Sequence, residues 1–122
     1  MTNLFEDAEI ISSYSRAQAI EDGILVDVTE TVKEAGIKYP VALTRAVFEQ
    51  CVALPTRYRG LEDVKGRLWD VLSMFRFAAR VNSGDRLLYR LKVSRNLVTL
   101  KAICGPGDTP DPVVTIMLPA ED

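Results

Sequence analysis

Residues 86–104 alternate polar and apolar side chains in two runs, one on each side of a Ser94-Arg95-Asn96 break. In the first run Leu87, Tyr89, Leu91 and Val93 share one face, and Arg86, Leu88, Arg90 and Lys92 share the other. In the second, Val98, Leu100, Ala102 and Cys104 oppose Leu97, Thr99, Lys101 and Ile103. A period of two describes a half-buried strand and excludes an amphipathic helix. Two such runs across a short polar break predict an antiparallel hairpin. GPGDTPDP (105–112) then forms a stiff turn, and Val113–Leu118 adds a third strand to an antiparallel meander.

The preceding sequence has the helical period. Val64, Leu68, Val71, Leu72, Phe75, Ala78 and Ala79 form a stripe along a long helix over 64–81, which Asn82-Ser83-Gly84 stops. Glu62 or Asp63 can cap it, after a PTRYRGLED loop (55–63). Trp69, Met74 and Phe77 fall off the stripe, so Trp69 and Phe77 are candidate interface aromatics, with a helix buried on most sides as the alternative. Further upstream, Ser15 caps a short helix through Glu21, and Gly23 stops it. Ile24–Val28 reads as a short strand, and Thr29 reads as the N-cap of a second short helix, Glu30 to Ala35, ended by Gly36. Pro40 starts a third helix at about Val41, with Leu43, Val47, Cys51 and Leu54 at helical spacing. The expected class is α+β: N-terminal helices with one short strand, a long central helix, and a three-stranded antiparallel meander packed on it. One domain is expected over 1–122, with 1–13 as an arm and 119–122 as a frayed tail.

Charge is laid out in three blocks. Residues 1–56 carry nine acidic and four basic side chains, 57–101 carry four acidic and eleven basic, and 102–122 carry four acidic and none basic. The near-neutral total of −2 hides a basic middle. Arg86, Arg90, Lys92 and Lys101 fall on the polar face of the hairpin, Arg95 in its turn, and Arg57 and Arg59 flank Tyr58 in the loop before the long helix. Arg67, Arg76 and Arg80 lie on the helix itself. Cations crowded on one sheet face repel unless an acidic segment of the chain, an anionic ligand or an acidic partner answers them. Tyr89 is the one aromatic in these strands and points inward, which disfavours base stacking on the sheet.

No catalytic motif emerges. The chain has no His, which removes the commonest general base and zinc ligand together. Cys51 and Cys104 both read as small buried hydrophobic side chains, with a disulfide or a reactive thiol as the alternatives. Asp27, Asp70, Asp108 and Asp111 are not brought together by sequence. CGPGD (104–108) follows a strand but precedes no helix, so it reads as a turn and not a phosphate cradle. No metal or cofactor is expected. The first ten residues lack an apolar signal core, and no apolar run approaches the roughly 18–20 residues that span a bilayer. A cytoplasmic location in a bacterial host, without membrane association, is expected.

Four stretches, AIEDGILVDVTETVKEAGIKYPVALTRAV (19–47), KGRLWDVLSMFRFA (65–78), LVTLKAICGPGD (97–108) and PVVTIMLPAED (112–122), together resemble an uncharacterised family of small proteins carried by bacteriophages, plasmids and other mobile elements. The resemblance implies a setting and supplies no site residue. It points to a non-enzymatic binding protein, a counter-defence inhibitor that occupies a host defence protein or sequesters a small nucleotide-like anion. A nucleic-acid-associated regulator and an oligomeric scaffolding module are the alternatives. The residues expected to bind are Arg57, Tyr58, Arg59, Arg86, Arg90, Lys92, Arg95 and Lys101, through charge-assisted hydrogen bonds.

Overall fold

The computed structural model describes residues 14–53, 64–82, 84–93 and 95–121. Helix α1 (Arg16–Glu21) leads into β1 (Leu25–Asp27), followed by α2 (Thr29–Glu34) and β2 (Val41–Thr44). A short α3 (Arg45–Val47) continues as a π-helical turn over Phe48–Val52. The long helix α4 (Val64–Val81) precedes β3 (Arg86–Val93), β4 (Asn96–Pro106) and β5 (Pro112–Met117). The strands form one mixed five-stranded sheet in the order β1-β2-β5-β4-β3.

The class is α+β, and the sheet is larger than the expected meander. β3, β4 and β5 pair antiparallel in sequence order. β2 adds to β5 in parallel, and β1 adds antiparallel to β2. The last strand is therefore central. The expected third helix begins too early at Val41. Val41, Ala42 and Leu43 are all fully buried in β2, and helix starts only after Thr44, whose hydroxyl accepts from Val47 N–H at 3.4 Å. A strand covered on both faces does not alternate, so its apolar run imitates a helix start.

Other local signals act as expected. Ser15 caps α1 through a reciprocal pair with Gln18. Thr29 is the exception: expected as the N-cap of α2, it is instead the first helical residue, after Val28 at the N-cap with no side-chain bond, and Asp27 Oδ1 accepts from its N–H at 3.1 Å. Val93 pairs with Asn96, and Arg95 between them holds φ +74°. β4 runs on to Pro106, which pairs with Pro112, so the Gly-Pro-rich turn is tighter than the sequence suggests. Its Asp108 carboxylate accepts from the first amides of α1, Arg16 N–H at 2.7 Å and Ala17 N–H at 3.1 Å. The turn thus serves as a helix cap.

The core lies between the sheet and the helices α2, α3 and α4. Leu43, Leu72, Leu100 and Ile116 are its largest fully buried side chains, and Tyr89 packs against Phe75 with ring centroids 6.1 Å apart. Tyr89 donates to the Val71 carbonyl at 3.1 Å, which anchors β3 under α4. On the opposite face, α1 packs on β1, and its Arg16 guanidinium donates to Thr115 Oγ1 at 2.7 Å and to the Val114 carbonyl at 2.8 Å. Half-burial lowers the Arg16 pKa, and Asp27 and Asp108 oppose that shift. The C-terminal turn, expected to fray, is tied down at Glu121, whose carboxylate accepts from Thr44 Oγ1 and Leu118 N–H, both at 2.8 Å. No described helix is long and apolar enough to cross a membrane.

Candidate functional site

The expected binding residues divide three ways. Arg57, Tyr58 and Arg59 lie outside the described residues. Lys101 is half-buried, and its Nζ donates to the Glu121 carbonyl at 2.6 Å, so it serves the fold. Arg86, Arg90 and Lys92 are exposed on β3, with Arg95 exposed in the turn beyond. Among the described residues none of these four forms an ion pair; the one ion pair found there is Arg45–Glu49, at 3.2 Å.

Two leucines interrupt that cationic face. Leu88 and Leu97 are each 61% exposed. Register places Leu88 opposite Lys101, Arg90 opposite Thr99, and Lys92 opposite Leu97. Charge and apolar surface are therefore interleaved on one side of an edge hairpin. β3 is also the outer strand of the sheet, eight residues long, and its cations discourage pairing with another strand.

Trp69 and Phe77 are 40% and 65% exposed on α4, so the helix is not buried on most sides. Arg67 departs from the rest of the basic helix. It is 3% exposed, and its Nε donates to the Val52 carbonyl at 2.9 Å. A side chain held there is withdrawn from any surface site.

Sequence reasoning missed a second site altogether. A cleft of about 390 Å³ opens between the C-terminal turns of α4, the 36–39 segment and the start of β3. Phe75 and Leu87 contribute apolar walls, and Lys38, Arg76, Arg80 and Arg86 bring four cations against one lining carboxylate, Asp85. The Arg76 guanidinium lies against Gly36, where an added Cβ would sit 3.4 Å from Cζ. Gly36 also holds φ +81°, so it is the backbone that favours glycine there, while a Cβ would meet the guanidinium in ordinary contact. The cleft draws on three separate segments. Only the i, i+4 spacing of Arg76 and Arg80 was visible in advance.

Both cysteines are free, but they differ. Cys51 is buried at 1% exposure, and burial pushes its thiol up to about 11. Cys104 packs against the core as expected but is only half-buried, because its other side lines the cleft. Iodoacetamide is expected to add once to the folded protein, at Cys104, and twice after denaturation, as read by intact mass and peptide mapping. Among the described residues no group of three or more Cys, Asp or Glu side chains could hold a metal ion.

Fold and surfaces together define a small α+β protein with two open cationic surfaces, one on the outer face of a hairpin and one rimming an apolar cleft. The chain belongs to a family of unknown function, DUF6573, whose model matches residues 1–122. Comparisons with curated proteins and with solved structures find no match.

Proposed function

We propose that this is a non-enzymatic binding protein that docks an acidic protein surface through the outer face of β3 and β4. The observation that carries the reading is the combination on that face: Arg86, Arg90 and Lys92 without ion pairs among the described residues, and Leu88 and Leu97 each 61% exposed. Cations steer and orient an acidic partner, while exposed leucines supply apolar area that desolvates on contact. A nucleic-acid backbone would use the charges and leave the leucines wet. Inward Tyr89 leaves no aromatic platform in these strands, which favours a protein partner further. In the mobile-element setting that the sequence resemblance implies, such a protein would block a host defence by covering a component's acidic surface.

The test is native mass spectrometry of the full chain recovered gently from its host, followed by affinity measurement with any protein that accompanies it at fixed ratio. The double reversal Arg90→Glu/Lys92→Glu is expected to weaken that complex by about 3 kcal/mol, on the order of a hundredfold. Both side chains are exposed, so the fold should tolerate the change. Phe77→Ser, on α4, should leave binding intact. Unchanged affinity in the folded double variant would remove the hairpin face from the reading.

A further inference from the structure

The cleft beside α4 shares Arg86 with the hairpin face and is otherwise a different kind of surface. At about 390 Å³ it falls within the usual range for small-molecule sites, roughly 300–1,000 Å³. It is apolar at its base and cationic at its rim, and that division is what a ligand must match. Arg76 and Arg80 are one helical turn apart on α4, so their guanidinium groups can share one anion. Neither they nor Lys38 makes an ion pair among the described residues. The C-terminal carbonyls of α4 place about half a negative charge at this end of the helix. Four cations against Asp85 outweigh it. Phe75 and Leu87 offer a base that a bare inorganic anion would leave wet.

We propose that this cleft binds one small organic anion, a flat apolar body carrying a single phosphate group. The phosphate sits between Arg76 and Arg80, with Lys38 and Arg86 adding charge, and the apolar body rests on Phe75 and Leu87. The Arg76 guanidinium lies beside Gly36, another residue of the cleft lining. Cys104 lines the same space, and a bound ligand covers its thiol.

Calorimetry on the full chain tests this with three probes: naphthyl phosphate, naphthol and inorganic phosphate. Naphthyl phosphate is expected to bind at least about tenfold more tightly than either fragment. Arg76→Gln and Arg80→Gln should each weaken it by about tenfold, the scale of one charge-assisted hydrogen bond. Arg90→Glu/Lys92→Glu should leave it unchanged, which separates this site from the hairpin face. Saturating naphthyl phosphate should slow iodoacetamide labelling of Cys104, a readout that needs no variant to fold. Equal binding of naphthol would reduce the site to an apolar pocket, and equal binding of inorganic phosphate would reduce it to an anion site; either overturns the proposal. So would absence of naphthyl phosphate binding, full retention of affinity in both glutamine variants, or unprotected Cys104.

Discussion

Ala42→Pro is expected to abolish cooperative folding. Val28 N–H donates to the Val41 carbonyl and Arg45 N–H to the Ile24 carbonyl, both at 3.0 Å, so odd-numbered residues of β2 turn their backbone groups toward β1. Pro40 O accepts from Val114 N–H at 2.9 Å, so the even-numbered ones face β5. Proline at position 42 removes a donor aimed at β5 in a strand paired on both sides. Its ring must also fit where Ala42 is fully buried. The Val114 carbonyl keeps its bond from Arg16, but a lost ladder bond and overpacking at a fully buried position together cost on the order of 3–5 kcal/mol. That reaches the lower end of the whole stability of a domain this size, about 5–15 kcal/mol. Urea unfolding followed by circular dichroism checks it. A helix starting after Pro40 would hold Ala42 in its first turn, where proline costs little. A near-native midpoint would therefore restore the helical reading of this segment.

Arg67→Ala should lower the unfolding free energy by about 3–4 kcal/mol. The Arg67 stem is buried on α4, and its Nε holds the Val52 carbonyl at the end of the π-helical turn. Alanine removes the packed methylenes and leaves that carbonyl without its donor, two losses of about 1–3 kcal/mol each. Arg67→Met keeps most of the stem and deletes the donor, so it should recover about half of the loss. Equal midpoints for the two variants would assign the whole effect to the hydrogen bond. Neither substitution should alter the exposed cations on β3, so any change in partner binding at matched folded fraction would count against a purely structural role.

Legibility followed the range of the interactions involved. The β3–β4 hairpin was readable because its alternation and its turn are local, and register followed from them. The C-terminal end of α4 at Val81 was readable for the same reason, while its expected cap at Glu62 or Asp63 lies outside the described residues. Tyr89 could be placed inward by counting alone, at 6% exposure. β2 was not readable as a strand, because burial on both faces erases alternation and its parallel partner β5 lies some seventy residues away.

The basic block shows the same division at the level of single side chains. Composition and order established that residues 57–101 carry the cations and that Arg86, Arg90 and Lys92 share one strand face. Only the folded chain sorted them by environment. Arg67 is buried against Val52, Lys101 is held by Glu121, and Arg76 is set beside Gly36 at the rim of a cleft. Sequence by itself determined the periodic elements and the face each presents, because periodicity is a property of one segment. Tertiary structure decided the strand order, the central place of β2 and β5, and the cleft, because each depends on contacts among segments far apart in the chain, and no local pattern encodes which distant surfaces will meet.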